Sequence, residues 1–172
     1  MQLNVIYRRF FLLIFSLCFL ISGCSLPTQR PTPYQAEVYF SPNGGIREHI
    51  IKIINEATTS IDIAIFDLTL QDIRLALEKV KTRGVKIRII ADSRQAKGPH
   101  SVVQSLIDAG FAVKMRHGRG RGIMHNKFAI FDKKILFTGS YNWTESAERN
   151  NYENALFVSD GNIIKRYQKE LL

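Results

Sequence analysis

Apolar and polar residues follow one another with two different periods along most of this chain. Residues 46–58 place Ile46, Ile50, Ile53 and Ile54 along one stripe, because helical positions three and four apart share a face. Residues 61–66 instead alternate at every second position, which is typical of a strand. The same two periods predict further helices at 70–83, 101–109 and 163–172, and further strands at 36–40, 85–91, 111–115, 125–131, 135–138 and 154–158.

Strands and helices succeed one another over residues 35–172, and this order indicates a single α/β domain. Gly84 and Gly110 directly follow two of the predicted helices, a position where glycine commonly ends a helix. A segment of this length suits one hydrophobic core, and no internal repeat interrupts it. We therefore predict a mixed β-sheet layered with helices on both faces.

The first 34 residues have a different character. A pair of arginines precedes an apolar run at residues 10–21, which is the pattern of a secretory signal and is short for a membrane span of about 20 residues. The run ends in ISGC at residues 21–24, which resembles a bacterial lipobox. We expect a lipoprotein signal peptide at residues 1–23, followed by a lipidated Cys24 and a proline-rich tether at residues 24–34. An ordinary cleaved signal or an uncleaved anchor is the alternative.

These features predict an extracytoplasmic bacterial lipoprotein, anchored to a membrane through Cys24 and facing the periplasm or the cell surface. Processing would remove Cys18 and modify Cys24, so no disulfide is expected. The whole chain has 24 Lys and Arg against 15 Asp and Glu; residues 1–23 hold two of the Arg, which leaves 22 against 15, a net charge of +7. A basic excess of this size suits polyanions such as nucleic acid or anionic phospholipid.

The densest group of reactive side chains lies between residues 125 and 142. His125 and Lys127 occupy alternate positions of a predicted strand, so they project to the same side. A turn at residues 132–134 and a return strand at 135–138 bring Ser140 and Asn142 back toward the open end of that hairpin. A nucleophile, a cation and two hydrogen-bonding groups around one spot are what phosphoryl chemistry requires.

The side chains also indicate how the reaction would run. The sequence has no closely spaced carboxylates or Cys/His cluster that suggests a metal cage, so we expect no metal and no other cofactor. Lys127, Ser140 and Asn142 would then neutralise the phosphate charge. In-line displacement needs one imidazole to attack and another to protonate the leaving oxygen, and this constellation occurs once in the chain. We infer a homodimer in which two chains share one site.

The pattern HxK, four residues, D, six residues, GS resembles the HKD motif of the phospholipase D superfamily. It is most similar to the single-motif Nuc-type bacterial endonucleases, and the mitochondrial cardiolipin hydrolase and Zucchini proteins are dimeric relatives. The resemblance covers residues 37–167. It implies a phospholipase D-like fold and a phosphodiesterase activity of the endonuclease type.

The resemblance also implies a role for each residue of the motif. His125 would be the nucleophile that forms a phosphohistidine, and its twin in the second protomer would protonate the leaving oxygen. Lys127 and Asn142 would hold the phosphate oxygens, with Ser140 supporting them. Glu153 matches the carboxylate that orients the histidine.

Several of these residues also have an ordinary structural interpretation. Asp132 completes the motif and is a catalytic candidate on that ground, but an Asp before two lysines is a common turn residue, and we favour that reading. Ser140 is also suited to a turn after a glycine, Asn142 to an N-cap for a helix starting at Trp143, and Glu153 to a polar strand end.

Residues 116–122 form a loop in which arginine alternates with glycine just before His125. Arg119 and Arg121 would bind the phosphates of a substrate without reading its sequence, although most basic glycine-rich segments are simply solvated. Tyr141 and Trp143 would either stack on bases of a single strand or belong to the core.

Three functions follow from the sequence. The first is a metal-independent nuclease that hydrolyses DNA or RNA. The second is a lipid phosphodiesterase of the phospholipase D or cardiolipin-hydrolase type, and the third is a non-catalytic lipoprotein that captures nucleic acid. The arginine loop favours the first over the second. A lipid enzyme should expose an apolar surface near its site, and the sequence shows none there.

Overall fold

The computed structural model describes residues 35–171, so the expected signal peptide, Cys24 and the tether lie outside the described residues. Seven strands and five helices are present in this range, together with a short 3₁₀ turn at Gln95–Lys97. The strands are β1 Ala36–Ser41, β2 Ser60–Ile65, β3 Lys86–Asp92, β4 Ala112–Arg116, β5 Lys127–Phe131, β6 Ile135–Gly139 and β7 Glu153–Val158. The helices are α1 Ile46–Glu56, α2 Gln71–Thr82, α3 Val103–Asp108, α4 Glu145–Arg149 and α5 Gly161–Glu170.

All seven strands form one sheet in the order β1-β7-β6-β5-β2-β3-β4. The pairs β2–β3 and β3–β4 are parallel and the remaining pairs are antiparallel. Helices α2 and α3 make the crossovers of the parallel half, as parallel strands require a long connection. The predicted mixed sheet is confirmed.

Helices cover both faces of this sheet, as predicted. The larger core lies between one face and helices α1 to α4, and Ile46, Ile50, Ile54, Leu77 and Leu106 are fully buried in it. The stripe of isoleucines read from the sequence is therefore the buried side of α1. A smaller core on the opposite face packs α5, through Ile164 and Tyr167, against strand residues that include Phe128, Ile130 and Leu136.

Two details differ from the sequence prediction. The strand predicted at 125–131 begins at Lys127, so His125 and Asn126 precede it in irregular backbone. The short helix considered from Trp143 is present as α4 but starts at Glu145, after a Thr144 N-cap whose side chain accepts a hydrogen bond from the backbone N–H of Ala147. Among residues 35–171, no helix is both long and apolar enough to cross a bilayer.

The strand directions bring several strand ends to one edge of the sheet, here called the site edge. Ile65 at the end of β2 is paired with Lys127 at the start of β5, and Gly139 at the end of β6 is paired with Ala155 near the start of β7. Asp92 at the end of β3 lies at the same edge, because β3 runs parallel to β2. The residues that follow or precede these ends are therefore close in space.

Candidate active site

Lys127 is the buried cation of the site edge. Its side chain is only 7% exposed, and its ammonium donates a hydrogen bond to the carbonyl oxygen of His125 at 3.0 Å. The ammonium also lies 4.9 Å from the centre of the Phe66 ring, within the range of a cation–π interaction. Burial lowers the pKa of Lys127, and the negative charges of Glu153 and Asp67 act in the opposite direction. A desolvated cation of this kind interacts strongly with an incoming phosphate.

His125 lies beside this cation and is open to solvent. Its imidazole meets the Phe66 ring edge to face, with 4.6 Å between the ring centres and an interplanar angle of 68°. The prediction that His125 and Lys127 lie together holds, although His125 is in the segment that leads into β5 and not on the strand itself. An exposed imidazole next to a buried ammonium can approach a phosphorus atom that the ammonium holds.

Phe66 and Asp67 are members of this site that the sequence prediction missed. Both directly follow β2, and Phe66 contacts the imidazole and the ammonium at once. Burial raises the pKa of the Asp67 carboxyl, while a backbone hydrogen bond and the charge of Lys127 lower it in part. The missing information was the pairing of β2 with β5, since these segments are far apart in the chain and no local pattern indicates their contact.

Ser140 and Glu153 form a hydrogen-bonded pair on the neighbouring strand ends. The Ser140 hydroxyl donates to Glu153 and accepts the backbone N–H of Asn154 at 3.1 Å, and the amide of Asn151 donates to the other oxygen of Glu153 at 3.1 Å. Within residues 35–171, the hydrogen bonds of Glu153 go to these two side chains and not to His125.

Gly139 makes this close approach of β6 and β7 possible. A Cβ atom at residue 139 would lie 2.2 Å from the carbonyl oxygen of Asn154, which is too short for any side chain. The same backbone region holds Ser140, whose N–H donates to that carbonyl at 3.1 Å. Ser140 is thus fixed by strand pairing and by its hydroxyl partners, and it is more than a turn residue.

Asn142 has an unsatisfied polar atom. Its side-chain oxygen is buried and has no hydrogen-bond partner among the described residues. The alternative that Asn142 caps a helix at Trp143 is wrong, because the N-cap of α4 is Thr144. The backbone of the neighbouring Trp143 is bonded to the residues that follow β2. Its backbone N–H donates to the carbonyl of Asp67 at 3.1 Å, and its carbonyl accepts the backbone N–H of Thr69 at 2.9 Å. Buried side-chain oxygens without a partner are uncommon in folded proteins.

Tyr141 and Trp143 are core residues, and the base-stacking alternative for them is wrong. Both side chains are fully buried, so neither ring is accessible to a nucleic-acid base. The hydroxyl of Tyr141 donates to the buried carboxylate of Glu148 at 2.6 Å, and the Trp143 ring packs near Phe137. Both neighbours of Asn142 in the chain are therefore anchored in the core.

Asp132 lies at the opposite edge of the sheet from the other motif residues. It follows β5 in a turn where Asp132 and Lys133 both have positive φ. Its carboxylate accepts hydrogen bonds from the backbone N–H groups of Thr58, Thr59 and Ser60 and from the hydroxyls of both threonines. These donors hold the pKa of Asp132 well below its usual range, against the opposing effect of burial. The contacts of Asp132 are those of a structural anchor.

Arg119 and Arg121 lie in the exposed loop between β4 and β5. Within residues 35–171, neither guanidinium takes part in a salt bridge or a side-chain hydrogen bond, so both are available to a ligand. The loop folds on itself through backbone hydrogen bonds from Gly118 to Gly122 and from Gly122 to Arg119. The same range contains no group of three or more His, Cys, Asp and Glu side chains arranged to hold a metal ion.

Most of the chain also matches a known protein family. Residues 50–172, most of the chain, match the family described as cardiolipin synthase, PLD-like domain. The chain belongs to this PLD-like family. Two solved structures of similar proteins have the same fold: Nuc from Salmonella typhimurium, a phospholipase D family member, and NucT from Helicobacter pylori. Nuc has a TM-score of 0.73 and 29% identity, with 81% of this chain and 92% of Nuc covered. NucT has a TM-score of 0.71 and 31% identity, with 81% and 96% covered.

Curated relatives of this PLD-like chain include both eukaryotic and bacterial proteins. It is 39% identical over 114 residues to the mitochondrial cardiolipin hydrolase of Xenopus laevis, which is 66% of this chain and 53% of that protein. It is 34% identical over 128 residues to the phospholipase D of Rickettsia prowazekii, which is 74% of this chain and 62% of that protein. The PLD-like chain thus spans about half the length of the curated relatives it matches. The family and fold implied by the HKD pattern are confirmed.

Proposed function

We propose that this protein is a metal-independent phosphodiesterase that hydrolyses nucleic acid at a site shared by two protomers. The observation that carries the proposal is the meeting of an exposed imidazole with a buried ammonium at one edge of the sheet. His125 and Lys127 share this place with Ser140 and Asn142. These groups supply a nucleophile and a preorganised binding site for phosphate oxygens.

The proposed reaction has two steps. In the first, a nitrogen of the His125 imidazole forms a bond to phosphorus, and the bond from phosphorus to the leaving oxygen breaks. The imidazolium of the second protomer gives its proton to that oxygen. In the second step, the neutral second imidazole takes a proton from water, the water oxygen attacks phosphorus, and the phosphohistidine bond breaks.

Lys127 and the N–H donors of Asn142 stabilise the charge that develops in both steps, whereas the Ser140 hydroxyl gives its only proton to Glu153 and supports them. Lys127 provides the positive charge, and Ser140 is held in place by Glu153. We propose that Glu153 acts on the site through Ser140 and the charge of Lys127. We propose that the N–H donors of the Asn142 carboxamide hold a phosphate oxygen.

Two chains are needed because attacking and leaving atoms lie on opposite sides of phosphorus. The motif that begins at His125 occurs once in this sequence, so the second imidazole comes from a second protomer. A homodimer mass by light scattering supports this arrangement, whereas an active monomer rules it out. Mixing His125→Ala with Lys127→Ala chains should not restore a complete site, and recovery of wild-type activity would contradict a shared site.

Nucleic acid is the substrate that the loop before His125 favours. Arg119 and Arg121 are exposed there, and guanidinium groups bind phosphates along a backbone. The net charge of +7 for residues 24–172 acts in the same direction. The structural similarity to Nuc and NucT also supports this choice.

A lipid phosphodiester is the second candidate, and one finding favours it. No apolar surface near the site was expected from the sequence, but Ile123 is 40% exposed two residues before His125, and Tyr152 is 94% exposed next to Glu153. Exposed apolar and aromatic side chains beside a basic loop also suit a membrane surface. The identity to mitochondrial cardiolipin hydrolases supports the same alternative.

One assay separates these candidates. Purified protein is incubated in excess EDTA with plasmid, with a single-stranded oligonucleotide and with cardiolipin vesicles. Nucleic-acid cleavage that survives chelation and disappears in His125→Ala supports the proposal, and the exposed His100→Ala serves as a matched control that retains activity. Lipid turnover alone supports the second candidate, and binding without turnover supports a capture protein.

We also propose that residues 1–34 export the protein and anchor it. The chain would be cleaved before Cys24, lipidated there and held at the periplasmic side or cell surface by the tether of residues 24–34. Cys24→Ala should move the protein from the membrane fraction to the soluble fraction of bacterial cells. Retention of that variant in the membrane fraction would contradict the anchor.

A further inference from the structure

Asp92 is a buried carboxylate at the site edge that the proposed reaction does not use. It is the last residue of β3 and its side chain is completely buried. One of its oxygens accepts the backbone N–H groups of Arg94 at 2.9 Å and Gln95 at 3.1 Å. The other oxygen accepts the backbone N–H of Met124 at 3.0 Å, across 32 residues of sequence.

The carboxylate of Asp92 is ionised in this environment. Burial by itself raises the pKa of Asp92, but hydrogen bonds from the backbone of Gln95, Arg94 and Met124 outweigh that effect and lower it. Hydrogen bonds to a charged acceptor are about twice as strong as those between neutral groups. The bond from Asp92 to Met124 is therefore a strong contact between the sheet and the loop.

Within residues 35–171, the backbone of residues 117–123 makes no hydrogen bond to the sheet. Its hydrogen bonds join Gly118 with Gly122 and Gly122 with Arg119, within the loop itself. Met124 directly precedes His125, whose carbonyl oxygen accepts the ammonium of Lys127 on the other side. The backbone at His125 is thus fixed from two directions, by Asp92 before it and by Lys127 after it.

We propose that Asp92 is a positioning residue: through Met124 it fixes the backbone that carries the His125 imidazole to the phosphate site. This inference rests on the proposed role of His125 as nucleophile. Asp92 does not touch the substrate. Its effect is on the distance and direction of attack, and a displacement of about 1 Å at a reacting group costs about 100-fold in rate.

Asp92→Asn tests this role with little change of shape. The asparagine oxygen can still accept the N–H groups of Arg94 and Gln95, but its amide group faces the Met124 N–H as a second donor. We expect kcat on a single-stranded oligonucleotide to fall at least tenfold and KM to rise by a smaller factor, because Lys127 stays on the sheet while the loop that carries Arg119 and Arg121 loses its attachment.

Asp160→Asn is the matched control. Asp160 also accepts two backbone N–H groups, those of Asn162 and Ile163, but it caps α5 away from the loop. This variant should keep kcat within twofold of wild type. A similar loss of kcat in both variants would mean that Asp92 acts only on general stability, and it would overturn the proposal.

A readout independent of activity follows the loop itself. Trypsin should cut after Arg119 and Arg121 at least fivefold faster in Asp92→Asn than in wild type or Asp160→Asn, because the loop loses its attachment. The Met124 amide proton should also move upfield in the NMR spectrum. Neither measurement depends on cleavage of the oligonucleotide. A failure of the proposed function is therefore distinguishable from a failure of this inference.

A backbone variant removes the same bond and leaves every side chain intact. Replacing Met124 with its α-hydroxy acid turns the N–H into an ester oxygen, and Asp92 keeps its bonds to Arg94 and Gln95. The ester protein should show the same loss of kcat and the same faster proteolysis. Because it keeps Asp92, it tests the proposal even where Asp92→Asn does not fold. Wild-type kcat in the ester protein would refute the positioning role.

Discussion

The replacement of Asp132 by asparagine separates the catalytic and structural roles that the motif allows for this residue. Five donors converge on the carboxylate: three backbone N–H groups and two threonine hydroxyls. The asparagine oxygen can keep the donors of Thr59 and Ser60. Its amide group, however, meets the N–H of Thr58, which the wild-type carboxylate accepts at 2.9 Å.

The size of the effect follows from these contacts. Thr58 is exposed, so water can replace the partner of its N–H, and the loss is the net contribution of hydrogen bonds to a charged acceptor, about 3 kcal/mol at most. An unfolding entropy of about 2.1 cal/mol/K per residue over about 140 residues converts this loss into a fall in Tm of about 10 °C.

Thermal unfolding at pH 7 measures that fall, with Asp108→Asn as the matched control. Asp108 is an exposed aspartate whose side chain accepts one hydrogen bond, from the Gln104 amide, so its replacement should shift Tm by less than 2 °C, about 0.5 kcal/mol. Phosphodiesterase activity of the folded Asp132→Asn protein should stay within threefold of wild type, because Asp132 lies at the edge of the sheet away from His125.

The pH dependence of stability gives a second check. The pKa of Asp132 is lower in the folded protein than its unfolded value of about 3.9. Its stabilising contribution is therefore complete above that value and is lost as the pH falls from there toward the folded pKa. The stability advantage of wild type over Asp132→Asn should shrink in this acidic range. An unchanged Tm at pH 7 together with a large loss of kcat would refute the structural role of Asp132.

Three further outcomes are expected at the site edge. Asn142→Ala should lower kcat about 100-fold without lowering the free energy of unfolding, since it removes a buried unpaired oxygen; calorimetry that shows a loss of more than about 1 kcal/mol would contradict this. Glu153→Gln should lower the pKa of the Lys127 ammonium, followed by NMR of the 15N-labelled side chain, because it removes a charge that raises this pKa; an upward shift would be inconsistent with their interaction. Replacing Arg119 and Arg121 together by alanine should reduce the slope of log affinity against log salt by about 1.4 for a single-stranded oligonucleotide, measured by anisotropy, and an unchanged slope would remove both from the interface.

Most of the fold was predictable from periodicity. The helix at 46–58 and the strand at 36–40 appear within two residues of their predicted ends, because apolar stripes of the right period are also the buried faces. The start of helix α4 was expected two residues too early, since five residues hold too little periodicity to locate it. The order of the strands was not predictable either, because pairing across the sheet depends on contacts between distant segments.

Some residues of the candidate site were predictable from local sequence, and others depend on contacts between distant segments. The residues of the hairpin β5–β6 could be placed together from local geometry, so His125, Lys127 and Ser140 were identified. Phe66 and Asp92 reach the same place from β2 and β3, and only the tertiary structure brings them there. Asn142 was identified by its type, but its unsatisfied oxygen depends on burial that no single segment determines.

The single ring of Phe66 touches both the imidazole of His125 and the ammonium of Lys127. A designer who wished to graft this chemistry onto a minimal hairpin scaffold would copy the motif and leave that ring behind. A transplanted unit therefore needs the strand before Phe66 in addition to the hairpin, and a hairpin carrying the motif alone should be inert.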